Sequence, residues 1–100
     1  MESNKNYELE LYKLIMFPCE TTFISELGWV SDTEFYIWVD FIWFKEFMDG
    51  VIEIFGYGIF DDANFNANIQ SDSVCIDVTK VFSGYGIDFE RVFPKEKYKH

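Results

Sequence analysis

The amino-acid sequence predicts an α+β fold: a small sheet with one main helix packed on it, in a single domain. The chain has 100 residues, of which 49% are apolar, and that is enough for one hydrophobic core. Residues 35–39 are a dense run of aromatic and β-branched side chains, as in a central buried strand. From Phe41 onward the apolar residues instead recur at three- and four-residue steps, which is typical of a helix.

The start of the chain allows two interpretations. Residues 1–6 are polar, and we expect them to be flexible. Residues 7–12 place Glu8 and Glu10 between Tyr7, Leu9 and Leu11, an alternation that favours a strand with one buried face. Because Leu, Glu and Lys also favour helix, a helix over the same residues is the alternative. Pro18 then interrupts the chain, and residues 19–29 are ambiguous.

The main helix is predicted over residues 41–55 and ends at Gly56. Residues 31–34 have the spacing of a capping box that opens a helix, but the run that follows them favours a strand. Gly50 inside the helix costs up to about 1 kcal/mol relative to Ala. The predicted core-facing residues are Phe41, Phe44, Phe47, Met48, Val51, Ile52 and Phe55, and those opposite are Lys45, Glu46, Asp49 and Glu53.

The second half of the chain predicts shorter elements. Residues 57–72 are rich in Gly, Asn and Asp, which indicates a loop with at most one short strand. A strand is predicted at 73–77 and a helical turn at 80–82. Asp88 is expected to cap a short helix that Pro94 ends, and the charged residues 95–100 are expected to form a flexible tail.

The charge excludes several classes of partner. Eighteen acids face eight bases, giving a net charge of −10, and residues 46–79 contain seven acids and no base. Such a field repels nucleic acid and anionic membranes and attracts basic proteins. The alternative is that the acidity only supports solubility. The sequence therefore predicts a basic protein partner, with no direct binding to nucleic acid or membrane.

No catalytic set is visible in the sequence. The only histidine is His100, so a His-dependent base, triad or zinc set is not available. Cys19 and Cys75 lack paired spacing and are expected to be reduced, although a disulfide between them stays open. Carboxylates are the one remaining option, because Asp61, Asp62, Asp72 and Asp77 could pair as acid and base or hold a divalent metal. The stretch 61–68, however, lacks the closing Glu and the ligand spacing of a calcium loop. We expect no enzyme, no metal site and no cofactor.

The start of the chain also lacks the apolar stretch of a signal peptide. The densest apolar run, residues 35–44, contains Asp40 and is too short to span a bilayer. We therefore expect a soluble, cytoplasmic protein.

A partner-binding site is predicted where acids and aromatic rings lie close in the sequence. Aromatic residues make up 21% of the chain, more than a core of this size buries easily, so some rings should be exposed. Asp61 and Asp62, in a Gly- and Asn-rich loop, are the best candidates for contact residues, and an ordinary solvated loop is the alternative. The full predicted set is Asp49, Glu53, Tyr57, Phe60, Asp61, Asp62, Phe65 and Asp72.

Residues 29–55 and the acidic loop at 60–62 that follows them are the part of the chain that suggests a resemblance to a known class of proteins. In length, aromatic content and excess of acids it resembles the small immunity proteins of bacterial contact-dependent growth inhibition and related polymorphic toxin systems. The resemblance implies a cognate toxin, often a nuclease acting on tRNA or DNA, inactivated by tight stoichiometric binding. It assigns no role to a particular residue. The alternatives are a nucleic-acid mimic that blocks a restriction or CRISPR complex, and a scaffold or homodimeric interaction domain.

Overall fold

A computed structural model describes residues 6–17, 23–61, 66–68, 70 and 72–100. It confirms the predicted α+β class. The strands are β1 (Ile24–Trp29), β2 (Phe35–Asp40), β3 (Asn66–Asn68) and β4 (Ser73–Asp77). The helices are α1 (Tyr7–Met16), α2 (Phe44–Phe55), α3 (Val78–Val81) and α4 (Phe89–Val92), with 3₁₀ helices at Phe41–Trp43 and Tyr57–Phe60.

The four strands form one antiparallel sheet in the order β1-β2-β4-β3. Strand β2 is central, as its sequence predicts, and Ile37 pairs with Leu27 on one side and with Ile76 on the other. Successive side chains of a strand point to opposite faces of the sheet. We call the face that buries Phe35, Ile37 and Val39 completely the inner face, and the face that carries Tyr36, Trp38 and Asp40, each partly exposed, the outer face.

The main helix lies on the inner face of the sheet and confirms the prediction for residues 41–55. Phe47 and Val51 are fully buried in the core that the sheet also supplies, and Gly56 ends the helix with φ 101°. Phe41 is an exception to the predicted face, because 39% of it is exposed. It belongs to the 3₁₀ turn before α2, where three residues per turn break the register of the α-helical face.

The structure corrects the preferred interpretation of residues 7–12, which form the first part of helix α1 rather than a strand. The Asn6 side-chain oxygen accepts a hydrogen bond from the Leu9 N–H at 3.0 Å and caps the helix. Leu11 and Ile15, four residues apart, are buried on one side of the helix. A pattern of six residues is compatible with the period of a strand and with that of a helix. The Asn6 cap and the burial of Leu11 and Ile15 favour the helix.

Helix α1 packs against α2 at Gly50. A Cβ atom at this position would lie 2.9 Å from Cδ1 of Leu14. The glycine therefore gives α1 room for a close approach, which explains why α2 tolerates its cost in helix stability.

The sequence 31–34 does not open a helix but connects β1 to β2. The Ser31 hydroxyl donates to Oε1 of Glu34 at 2.9 Å, and the Val30 N–H donates to the Glu34 carbonyl at 2.9 Å. The Ser-x-x-Glu spacing of a capping box thus also occurs in a hairpin loop, where the two side chains bond to each other, and the residues that follow decide which structure forms.

The later elements follow the sequence closely. Strands β3 and β4 lie where a short strand and a longer one are predicted. The Asp88 side chain accepts from the Arg91 N–H at 3.2 Å and caps α4, as expected. Helix α3 begins two residues earlier than the predicted turn, because the Asp77 side chain caps it by accepting from the Lys80 N–H.

Residues 95–100 are expected to be a flexible tail, but residues 98–100 lie along the outer edge of β1. The Trp29 N–H donates to the Tyr98 carbonyl at 2.8 Å, and the His100 N–H donates to the Trp29 carbonyl at 3.1 Å. This places Lys99 beside Trp29 in a parallel bridge. The contact is made by backbone groups. A free strand edge can pair with a segment through its main chain whether or not the side chains of that segment are charged.

Aromatic contacts join this end of the chain to the core. The rings of Phe35 and Phe93 stack with their centroids 4.6 Å apart, and Tyr98 meets both rings edge-on. The indole Nε1–H of Trp29 donates to the Phe93 carbonyl at 2.7 Å. No helix in the part of the chain that the structure describes is long and apolar enough to cross a membrane.

Candidate protein-binding surfaces

One line of residues runs along the solvent side of the main helix: Ile42, Glu46, Asp49, Glu53 and Tyr57. The spacing of Glu46, Asp49 and Glu53 by three and four residues places these three on one face of α2, and Ile42 and Tyr57 lie in the 3₁₀ turns that precede and follow the helix. All five are exposed, Ile42 by 76% and Tyr57 by 87%. We call this set the α2 stripe. It offers three carboxylates between two exposed apolar side chains.

Little positive charge offsets the α2 stripe. Lys45 Nζ lies 2.9 Å from Asp49 Oδ2, but both side chains are mostly exposed, so this ion pair is weak and exchangeable. Among the described residues no base lies within salt-bridge distance of Glu46 or Glu53. Glu46 lies in the first turn of α2, where a carboxylate also stabilises the helix.

Three of the predicted site residues, Asp49, Glu53 and Tyr57, belong to the α2 stripe. Asp61 is exposed at the end of the 3₁₀ helix that starts at Tyr57, so it lies close to the same end of the stripe. Phe60 is half-buried and packs against the core, which makes it a support for this surface rather than an exposed anchor.

The remaining predicted residues do not join this group. The Asp72 carbonyl accepts from the Phe41 N–H at 2.9 Å, which places Asp72 at the opposite end of the main helix from Tyr57. Fifteen helical residues separate the two ends, a distance of about 20 Å. Asp62 and Phe65 lie outside the described residues.

A second surface lies on the outer face of the sheet. The His100 imidazole stacks on the Trp38 indole, with ring centroids 4.6 Å apart and planes 21° apart. His100 Nε2 lies 2.5 Å from Oε2 of Glu26. Tyr36 continues the aromatic surface, its ring centroid 6.0 Å from that of Trp38. We call Glu26 and Trp38, with His100 seated between them, the Trp38 site.

Gly28 makes room for His100 at the Trp38 site. A Cβ atom on Gly28 would lie 2.8 Å from the His100 Cβ and 3.0 Å from its Cα and N. No side chain fits at this position while the C-terminal segment is in place.

Burial and nearby acidic groups both act on Tyr36. Desolvation raises the pKa of the Tyr36 hydroxyl, and the nearby carboxylates of Glu34 and Asp77 raise it further. On the same face, partial burial and the Asp77 carboxylate raise the pKa of the Cys75 thiol to about 11. Cys75 is a free cysteine, and Cys19 lies outside the described residues. The outer face is therefore aromatic and electronegative.

Sequence reasoning did not identify the Trp38 site, nor Ile42 and Glu46 in the α2 stripe. One signal was present for the sheet: Phe35, Ile37 and Val39 are purely apolar, whereas the residues between them each carry a polar group. For Ile42 and Glu46, the signal was the continuation of the spacing of Asp49 and Glu53 toward the start of the helix. His100 had no signal, because its place depends on a distant backbone contact.

A depression of about 320 Å³ lies between α1 and α4 and is lined by Asn6, Glu8, Leu9, Tyr12, Arg91 and Val92. Its two charged residues, Glu8 and Arg91, pair with each other, and Glu8 also accepts the Asp88 N–H at 2.8 Å. These groups satisfy one another and link α1 to α4.

Comparisons with protein-family models, with curated proteins and with solved structures found no match to this chain. Within the described ranges, no three His, Cys, Asp or Glu side chains are grouped so that they could hold a metal ion. The α2 stripe and the Trp38 site are therefore the features of the described structure that bear on function.

Proposed function

We propose that this chain is a non-enzymatic, immunity-type inhibitor that binds a basic nuclease toxin in the bacterial cytoplasm and neutralises it. The observation that supports this proposal is the α2 stripe, in which Glu46, Asp49 and Glu53 are exposed between Ile42 and Tyr57. It combines the two components of a tight interface with a basic protein, which are charges for attraction and apolar groups for anchoring.

The mechanism follows from what a nuclease must do. Its active-site cleft carries basic side chains that hold phosphates, and carboxylates presented in a fixed array occupy the same groups. The net charge of −10 accelerates the encounter, and Tyr57 and Ile42 exclude water from the edges of the contact. The inhibitor acts by occupying the cleft, so no catalytic group of its own is required.

The dimensions of the α2 stripe favour this proposal over a nucleic-acid mimic. From Glu46 to Glu53 the helix rises about 10 Å. A duplex presents one charge per ~1.7 Å of its axis, and a mimic must follow that array over a longer face. A homodimer through the same surface is also disfavoured, because two copies would bring their carboxylates together.

The test compares two double variants with the same change in charge. In Glu46→Lys/Glu53→Lys the charge reversals lie in the α2 stripe, and in Asp32→Lys/Glu96→Lys they lie at exposed positions outside it. Each protein is used as bait in lysate of the source cell. We expect the unchanged chain and the control to retain one small basic nuclease and to inhibit it at equal stoichiometry, and the stripe variant to lose both.

Retention of the nuclease by the stripe variant would show that the α2 stripe is not the contact surface. Recovery of a large nucleic-acid-processing complex would favour the mimic, and recovery of the bait alone would favour a scaffold or homodimer. Thermal melting of both variants establishes that each is folded before binding is compared.

A further inference from the structure

The Trp38 site is occupied, and its occupant shows what kind of group it accepts. The His100 ring is flat and becomes a cation when protonated. It lies against the indole of Trp38 at 4.6 Å while its Nε2 contacts the Glu26 carboxylate at 2.5 Å. An aromatic face and a carboxylate at its edge thus surround one planar group that can carry positive charge.

The same arrangement suits an arginine side chain better than any other. A guanidinium group is planar, permanently charged, stacks on indole rings and donates paired hydrogen bonds to a carboxylate. A lysine ammonium group carries the charge but cannot stack. We propose that Trp38 and Glu26 bind an arginine side chain of a protein partner, and that His100 occupies this site in the free protein.

The occupant can be exchanged without unfolding the sheet. The Glu26 and His100 side chains are 58% and 36% exposed, so both can be reached from solvent. The His100 backbone is held separately, through its N–H bond to the Trp29 carbonyl, and only the imidazole has to rotate away. The negative field of Glu34 and Asp77 around the neighbouring Tyr36 provides charge complementarity to the incoming cation.

This inference does not depend on the proposed function. The α2 stripe lies on the solvent side of the helix layer, whereas the Trp38 site lies on the outer face of the sheet, on the other side of the core. A partner that occupies one surface leaves the other uncovered.

The experiment is a titration of the isotope-labelled full chain with the capped tripeptide acetyl-Gly-Arg-Gly-amide, followed by NMR at the Trp38 indole N–H. The capped peptide with Lys in place of Arg is the matched probe. We expect the arginine peptide to shift the Trp38 signal and the lysine peptide to bind several-fold more weakly. In His100→Ala, which keeps the backbone bond to Trp29, the arginine peptide should bind about five-fold more tightly because the competitor is removed.

Two further variants in the His100→Ala background test the carboxylate. Glu26→Gln should weaken binding of the arginine peptide several-fold, while Glu53→Gln, the same change in charge on the α2 stripe, should leave it nearly unchanged. The proposal is overturned if His100→Ala binds no more tightly than the unchanged chain, if both glutamine variants bind equally, or if the shifts are confined to α2. None of these results bears on capture of a nuclease by the α2 stripe, so the two proposals fail separately.

Discussion

At the scale of single residues, Gly28 determines whether the C-terminal segment can lie on the sheet. Its missing side chain leaves the space that the His100 backbone fills, at 3.0 Å from a Cβ placed there. We expect Gly28→Ala to lower the free energy of unfolding by about 1–3 kcal/mol, since the backbone contact cannot relax as a flexible side chain could. Urea denaturation measures the change.

Gly58→Ala is the control for Gly28→Ala. A Cβ atom at Gly58 would meet only the Asp61 Oδ2, at an ordinary distance of 3.5 Å. Its effect should stay within about 0.5 kcal/mol. Equal effects in the two variants would contradict the steric role of Gly28.

Cys75 gives a prediction that depends on pH. Its thiol pKa of about 11 leaves little thiolate at pH 9, so alkylation by iodoacetamide should be slow in the folded chain. Asp77→Asn removes one cause of the shift while keeping a side chain able to cap α3, and should accelerate alkylation several-fold. Peptide mapping by mass spectrometry reports Cys75 separately from Cys19. An unchanged rate would show that the carboxylate has no influence on the thiol.

The same shift links Cys75 to stability. The folded chain holds this proton more tightly than the unfolded chain, whose thiol has the ordinary value of 9.0. As the pH rises from 9.0 towards 11, the unfolded chain loses the proton first. Cys75 therefore makes its whole contribution to the free energy of unfolding below pH 9.0, and this contribution decreases as the pH rises towards about 11.

At the scale of elements, helix α2 stabilises the fold through its inner side only. Phe47 is fully buried, and we expect Phe47→Ala to cost about 3–5 kcal/mol of unfolding free energy. Phe41→Ala, which removes the same ring from a position 39% exposed, should cost clearly less. Chemical denaturation of the two variants measures both changes in unfolding free energy. Similar losses of stability would mean that the helix does not face the core as described.

The elements also show what local sequence can and cannot predict. Strand β2 and the main helix were predicted because each has a sustained pattern, and Gly56 marks the end of the helix. For residues 7–12 a helix was only the alternative prediction, because so short a pattern fits the period of a strand as well as that of a helix. The burial of Leu11 and Ile15 in the assembled core favours the helix. The C-terminal segment was missed because its backbone partner, the edge of β1, is distant in sequence.

At the scale of the whole molecule, two electronegative surfaces lie on opposite sides of one core. The sequence singles out three residues of the α2 stripe, since Asp49 and Glu53 belong to the acidic stretch 46–77 and Tyr57 is an aromatic residue within it. The Trp38 site was not predicted, because Glu26 and His100 are 74 positions apart and meet only in the folded chain. Charge composition predicts that a protein partner would be basic, and the three-dimensional arrangement carries the proposal of where it would bind.

The hydrogen bond from the Trp29 indole to the Phe93 carbonyl affects how the protein is made. It spans 64 positions, so the β1–β2 hairpin leaves the ribosome long before the residues that complete its surroundings. Until then the Trp29 N–H lacks its acceptor, and the Phe35 ring lacks the stacking of Phe93. Contacts over such separations form slowly and late. The nascent chain therefore cannot complete the surroundings of Trp29 and Phe35 until Phe93 has been synthesised.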